Sequence, residues 1–290
     1  VRFGLAILPE RPWSEAERQW RGAEELGFDH AWTYDHILWA GLPDSPWYGT
    51  TPTLTAAALA TSGIGLGTFV SSPNFRHPAV FYRDVQSLDD LSGGRFLLGV
   101  GNGADLDSGI LGGPTLSRAE RVERFQEFTR LLLRLRSEDH VTSEGRWFSS
   151  HDMRTLPHLR HVPVLIAANG PRSVRFAAKH GDGWITTGPP MSPNLDVWFD
   201  GLAASAAVLD EALTASGRDG AEFRRYVNLD SSPTYSLSSA ETLEALVRRA
   251  AGLGFTDVIS HWPRSSSPYQ GDETILETVA RQLIPALRDA

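Results

Sequence analysis

Eight short apolar runs, each bounded by Gly, Pro or Asp and each followed by a stretch of helical period, constrain this chain more than any other feature. They lie at 3–8, 30–34, 64–70, 96–100, 164–168, 184–187, 225–229 and 256–261. Unbroken alternation of this kind is the signature of repeated βα units, whose parallel sheet closes into a barrel or stays open and doubly wound. An open dinucleotide-binding sheet needs a glycine-rich turn after its first strand to let a pyrophosphate approach. Leu8-Pro9-Glu10-Arg11-Pro12 has no glycine, and Gly99-Val100-Gly101-Asn102-Gly103 follows the fourth run with the wrong spacing. The fold class expected is therefore α/β, a (β/α)8 TIM barrel forming one domain over 1–290. The length matches the roughly 250 residues of such barrels.

The punctuation agrees with that layout. Ser14-x-x-Glu17, Ser117-x-x-Glu120 and Ser238-x-x-Glu241 read as capping boxes, in which each side chain satisfies an otherwise orphaned amide at a helix start. Pro52, Pro78, Pro171 and Pro193 suit a first helical turn, where a missing N–H costs nothing, and His77 suits the turn before Pro78. Leu26-Gly27 and Leu253-Gly254 read as helix stops with glycine in the left-handed conformation. Val122, Phe125, Thr129, Leu132 and Leu135 form one helical stripe facing the core. Residues 138–162 interrupt the pattern as an insertion, with a hairpin expected at 140–148 and a loop at 157–163. The Ser- and Pro-rich stretch 263–271 is expected to be a flexible cover over one barrel end.

A net charge of -8 without any Lys/Arg run excludes the concentrated basic face that nucleic acid or an anionic membrane would require. With no cysteine there is no thiolate chemistry, so redox work needs a borrowed cofactor. The apolar N-terminal run is too short for a signal peptide or a membrane span, and a cytoplasmic protein is expected.

In such a barrel the chemistry sits at the C-terminal strand ends. The polar residues there are Asp35, His36, Ser71, Ser72, Asn102, Asp105, Asp107, Asn169, Arg172, Thr186, Thr187, His261 and Trp262. Asp35-His36 is the most reactive pair, because histidine exchanges protons near neutral pH; the competing reading is a histidine that only braces its loop. Ala168-Asn169-Gly170-Pro171-Arg172-Ser173 offers free amides and an arginine to a phosphate group, or else is an ordinary tight βα turn. His158-x-x-His161 sits between prolines without a third ligand, so no metal is expected. Trp39, Trp47, Tyr48, His261 and Trp262 are the candidate substrate pocket, with Tyr269 in the same class of loop aromatics; pinning loops or meeting another subunit are the alternatives for these rings.

Several segments together resemble the bacterial luciferase-like superfamily, and its F420-dependent branch more than luciferase itself. They include Ala23-Glu24-Glu25-Leu26-Gly27-Phe28-Asp29, Tyr34-Asp35-His36, Ile64-Gly65-Leu66-Gly67-Thr68 and Arg76-His77-Pro78-Ala79. Leu91-Ser92-Gly93-Gly94-Arg95, Leu98-Gly99-Val100-Gly101, Ile166-Ala167-Ala168-Asn169-Gly170-Pro171 and Gly181-Asp182-Gly183-Trp184 continue the match in order. The resemblance implies a flavin or deazaflavin ring stacked on a bulge after the third strand, with a cis peptide between Phe69 and Val70. It implies cofactor contacts from Asp35, Phe69, Val70, Ser72, Asn102, Asp107, Ala168, Asn169, Gly170 and Thr187. His36 matches the family's proton-transfer group, with Asp35 expected to orient it. Coenzyme F420 is the expected cofactor and FMN, delivered reduced by a partner reductase, the alternative. The reaction implied is hydride transfer to or from a small organic substrate, in a homodimer. One position departs from the pattern: F420-dependent dehydrogenases of the family carry a glutamate where this chain has Ala104, leaving Asp105 or Asp107 to substitute. That departure keeps open a monooxygenase, and a catalytically silent barrel.

Overall fold

The computed structural model describes residues 1–159 and 162–288. All eight apolar runs become parallel strands: β1 (Arg2–Ala6), β2 (His30–Thr33), β3 (Gly65–Thr68), β4 (Phe96–Val100), β5 (Val164–Ala167), β6 (Gly183–Thr186), β7 (Arg224–Asn228) and β8 (Asp257–His261). Each pairs with its neighbours in sequence, and β8 closes the barrel on β1, with Arg2 opposite Asp257 and Ala6 opposite His261. The expected (β/α)8 barrel is the fold. The run 64–70 ends early as a strand, at Thr68, and pairing resumes at Ser71 opposite Val100, so that 69–70 bulge out of the ladder.

The helices between the strands are α1 (Trp13–Glu25), α2 (Thr50–Ala60), α3 (Pro78–Leu91), α4 (Asp105–Ile110), α5 (Arg118–Ser137), α6 (Pro171–His180), α7 (Leu195–Ala215) and α8 (Ala240–Gly252). Ser117 caps α5 with the full reciprocal box expected of it. The other two boxes are corrected. Pro12 precedes α1 and leaves Ser14 inside the helix, while α8 starts one residue later than expected, with Ser239 accepting from Thr242 N. Pro78 and Pro171 open their helices and Pro52 falls in the first turn of α2, but Pro193 stands before Asn194, the cap of α7. Gly27 and Gly254 take the left-handed conformation expected after α1 and α8. The insertion carries an antiparallel hairpin, Val141–Ser143 with Ser150–Met153. Its second strand thus lies beyond the expected 140–148. Of the His158/His161 pair, His161 lies outside the described residues.

Two apolar layers hold the barrel. One lies between strands and helices, and includes Phe125, Leu132 and Leu135 of the expected α5 stripe; the other fills the barrel with Trp32, Tyr34, Phe69, Leu165, Ile185, Tyr226 and Ile259. A ring as large as Trp32 fits only because β3 offers no side chain beside it: a Cβ on Gly67 would lie 2.2 Å from Trp32 Cζ3. At the N-terminal end a polar plug replaces apolar packing. Trp32 Nε1 donates to His30 Nδ1 at 2.6 Å, so His30 must donate from Nε2 to Asp257, 3.0 Å away. Arg2 pairs with the same Asp257 oxygen at 2.7 Å and donates to the Tyr226 hydroxyl. Burial pushes Asp257 up, but His30, Arg2 and Thr256 outweigh it and hold the carboxyl below its usual range. Truncating this carboxylate strands buried partners. Asp257→Ala is expected to lower the unfolding free energy by about 3 kcal/mol, read from urea denaturation; a change below about 0.5 kcal/mol would contradict the plug's structural weight.

Candidate active site

A cavity of about 580 Å³ opens at the C-terminal strand ends, within the size range of small-molecule sites. Its floor is the 69–70 bulge, where the Phe69–Val70 peptide is cis, as the resemblance implied. Gly101 on the neighbouring strand end makes room for it, since a Cβ there would lie 2.4 Å from Val70 Cγ2. Of the residues singled out beforehand, His36, Trp39, Phe69, Val70, Ser72, Asn102, Ala168, Asn169, Gly170 and Thr187 line this cavity.

Strand alternation decides which side chains reach it, because successive residues point to opposite faces. Tyr34 and His36 face the interior, and Asp35 between them faces the helices. Asp35 does not orient His36. Its buried carboxylate receives Arg76 through two bonds, 2.6 Å from Nη2 and 2.9 Å from Nε, and Arg76 in turn lies over the Phe75 and Phe81 rings. The orienting group is Asp107 at the start of α4, whose Oδ2 lies 2.8 Å from His36 Nδ1 while its Oδ1 accepts Ile37 N–H at 2.7 Å. Burial pushes Asp107 up, but the His36 bond and the Ile37 and Leu38 amides overcome it and hold the carboxyl below its usual range. An ionised carboxylate only accepts, so His36 carries its proton on Nδ1 and Nε2 is left as the basic nitrogen, with no protein partner among the described residues.

Both carboxylates expected to touch cofactor are thus occupied behind the wall, and Asp105 is paired with Arg121. None of the three stands free to replace an acid at Ala104, whose carbonyl is held by Asn74 Nδ2 and whose side chain faces solvent. Asn74 also accepts from buried Arg124, which ties α5 to the 102–104 loop. Asn102 on that loop has a buried Oδ1 without a protein partner among the described residues.

On the other side, Asn169 is a strut between strand ends. Its Nδ2 donates to Thr187 Oγ1 at 2.7 Å, and its Oδ1 accepts from Thr186 Oγ1 and Thr187 N. Gly170 N–H donates to Ser173 Oγ, and both residues lie on the cavity wall at the start of α6. Arg172 and Arg175 are exposed and off the wall; the arginine on it is Arg118, which belongs to a helix start, where the strand-end pattern does not point. Val122 of the α5 stripe also lines the cavity instead of the core.

The aromatic pocket is partly corrected. Trp39 is on the wall, with Trp47 packed behind it at 6.2 Å; Tyr48 is exposed and off the wall. His261 is wholly buried behind Tyr34, and Trp262, the next residue, faces outward against Gly22 of α1. Tyr269 lines the cavity from the 263–271 cover, which is tied down rather than loose: Arg264 pairs with Glu10 and donates to the carbonyls of Ser266, Ser267 and Pro268. No group of residues able to hold a metal occurs among the described residues, and none of their helices is long and apolar enough to cross a membrane.

Comparison with known proteins gives a family. The description "Luciferase-like monooxygenase" matches residues 1–281. An F420-dependent glucose-6-phosphate dehydrogenase of Kineococcus radiotolerans is 31% identical over 85% of this chain and 78% of its own length. One from Intrasporangium calvum is 33% identical over 71% of this chain and 62% of its own. In structure, an F420-dependent secondary alcohol dehydrogenase in complex with an F420-acetone adduct superposes with a TM-score of 0.82 at 17% identity, covering 99% of both chains. A monooxygenase from Streptomyces bottropensis gives 0.79 at 22%, again over 99% of both, so these likenesses establish the fold without choosing a reaction.

Asp107 has a depressed carboxyl, so its stabilising contribution is complete above the unfolded value of about 3.9 and is lost as pH falls through the folded one. Asp107→Asn is expected to remove that part of the acid-induced loss, making stability flatter between about pH 5 and 3 in urea titrations. Identical pH profiles for wild type and variant would contradict it.

Proposed function

We propose, from the premise that this chain belongs to the luciferase-like monooxygenase family, that it is an F420-dependent oxidoreductase acting on a small organic molecule. One observation carries the reading: a histidine locked by a buried carboxylate presents its basic nitrogen to a cavity floored by the Phe69–Val70 bulge. The residues present fit a flat ring. Gly101 clears space for the bulge, Ile185 and Ala167 complete an apolar bed, and the unpartnered Asn102 Oδ1 suits a ring N–H. Phe69, Val70, Ser72 and Asn102 would hold the ring, and Ala168, Asn169, Gly170 and Thr187 would hold its tail. When bound, the deazaflavin supplies two-electron chemistry as a hydride acceptor or donor.

The chain's own part is proton handling and exclusion of water. His36 Nε2 takes a proton from a substrate hydroxyl, or returns it, while Asp107 stabilises the imidazolium and fixes its plane. Trp39 and Tyr269, stacked with an interplanar angle of 9°, wall the substrate side with apolar surface. That favours a small molecule of low polarity. The reading further takes 1–290 as one cytoplasmic domain that forms a homodimer; the exposed Leu59 of α2 and Val80 of α3 supply apolar surface for it.

Fluorescence titration of the protein with F420 and with FMN, each in both redox states, tests the cofactor. F420 is expected to bind at least about tenfold tighter, a difference of roughly 1.4 kcal/mol. Tighter binding of reduced FMN would replace this reading with a monooxygenase fed by a partner reductase. His36→Gln is expected to keep F420 affinity and to lower turnover of a small alcohol or ketone by about 10²–10⁴-fold; wild-type turnover would remove His36 from the chemistry.

A further inference from the structure

One side of α5 carries a charge pattern that the function proposed above does not use. Arg118, Arg121 and Arg124 follow one another every third residue, and each reaches a group at the cavity end of the barrel. Arg118 lines the cavity and makes no hydrogen bond or ion pair among the described residues. Arg121 pairs with Asp105 at the start of α4. Arg124 is buried, donates through Nη2 to Asn74 Oδ1, and leaves its Nε without a partner among the described residues. Asn74 in turn holds the Ala104 carbonyl. The carboxylates of the same helix are engaged elsewhere: Glu120 and Glu123 pair with Arg146, and Glu127 accepts the Trp147 and Phe148 amides.

Arg118, Arg121 and Arg124 thus border the 102–105 loop against the single carboxylate of Asp105. The excess is local, because the chain as a whole carries a charge of -8. Among the described residues no Asp or Glu lines the cavity; the ionisable groups on its wall are Tyr34 and His36 from the β2 end, Arg118 from α5 and Tyr269 from the cover. The carboxylates behind the wall are already matched, Asp107 by His36, Asp35 by Arg76 and Asp230 by His261. Exposed Arg172 and Arg175 of α6 add positive charge at the same end. Burial pushes the Arg124 guanidinium below its usual range, with Asp105 opposing and Arg121 adding to it, yet that range lies so far above neutrality that the charge stays. A buried cation with no carboxylate bonded to it is costly. Its field is directed at a cavity where the protein supplies no anion of its own.

We propose that Arg118, Arg121 and Arg124 take the place of the acid missing at Ala104: their fixed charge compensates the negative charge that hydride transfer adds to the deazaflavin, so the cavity holds the reduced ring as an anion and needs no proton donor. The inference rests on the F420 reading for its cofactor and reaction. In alcohol oxidation the carbon-bound hydrogen leaves with its electron pair to the ring, the hydroxyl proton passes to His36 Nε2 and on to solvent, and the carbonyl forms. The ring gains one hydrogen nucleus and two electrons, hence one negative charge, and the reaction balances without an acid. That charge resides on the pyrimidine edge, whose N–H suits Asn102 Oδ1 on the loop that Asn74 and Arg124 support. Opposite charge nearby favours the ionised form of a group, so the bound ring releases its proton more readily than the free one. Arg118 stands on the wall; Arg121 and Arg124 act through the field and through the loop. With Asp105 and Asp107 both engaged, this compensation needs no carboxyl on the cavity wall.

Anaerobic pH titration of reduced F420 bound to the full chain, followed by ultraviolet absorbance, tests this without turnover. The pyrimidine-edge proton is expected to leave the bound ring at lower pH than the free ring in the same buffer, with a dissociation constant raised about tenfold or more. His36→Gln is expected to keep that displacement, which separates it from the titration of the imidazole. Arg118→Gln and Arg124→Gln are each expected to move the midpoint back toward the free value, and at alkaline pH to weaken binding of reduced F420 more than that of oxidised F420, by a ratio of about threefold to tenfold. A purely structural role would weaken both forms alike. Should Arg124→Gln fail to fold, Arg118→Gln at the exposed helix start decides by itself. A bound midpoint at or above the free one, or variants that weaken both redox forms equally, overturns the charge compensation and leaves the cofactor assignment in place. Failure of both redox forms to bind overturns the cofactor assignment, and the charge compensation with it.

Discussion

The buried Asp107 carboxylate is the interaction on which the site depends. One oxygen holds the Ile37 amide and the other His36 Nδ1, so a single group from α4 pins the loop after β2 and chooses the imidazole tautomer. Without that contact His36 would be free to present either nitrogen. A charged group so deeply buried is tolerable only because its lone pairs are filled by N–H donors. The energetic cost of burial thereby becomes geometric precision at the imidazole to which the proposed function assigns proton transfer.

Around that contact, the barrel distributes labour by layer. The N-terminal end is closed by the His30–Asp257–Arg2 plug, the middle by Trp32 and the branched side chains, and the C-terminal end is left open, lined by strand termini and capped by the Arg264-tied cover. Each layer relies on absent side chains as much as on present ones. Gly67 admits Trp32 into the barrel, and Gly101 admits the bulge that floors the cavity. Two histidines then stand at this end of the barrel, His36 on the cavity wall after β2 and His261 behind Tyr34 at the end of β8, each with a carboxylate on Nδ1 and its Nε2 turned the other way.

Much of this was legible in the sequence. Periodicity and turn residues place every barrel strand to within two residues at each end, because β/α alternation is a local signal repeated eight times. The resemblance located the bulge, Ser72, Asn102 and the Ala168–Gly170 turn, all of which line the cavity. Pairing between side chains was not legible. Asp35 stands next to His36 in sequence, yet alternation sends it to Arg76, and the true partner of His36 lies 71 residues away. The same rule, applied to consecutive residues, would have separated inward His261 from outward Trp262, and inward Tyr34 from Asp35. Arg118 reaches the cavity from a helix start, where no strand-end rule points, whereas Tyr269 reaches it from the cover loop, where its place among the loop aromatics had marked it. Caps at Ser14 and Ser238 failed by small shifts, since Pro12 starts α1 earlier and Ser239 competes successfully with its neighbour.

The central claim is that the cavity positions a deazaflavin ring against the Phe69–Val70 bulge, with His36 facing the substrate side. A crystal structure of the full chain with F420 bound tests it most directly. The account predicts the ring on the bulge, Asn102 Oδ1 accepting a ring N–H, and His36 Nε2 directed at the space above the ring while Nδ1 stays on Asp107. A ring bound elsewhere, or a His36 swung away from Asp107 in the complex, would contradict it.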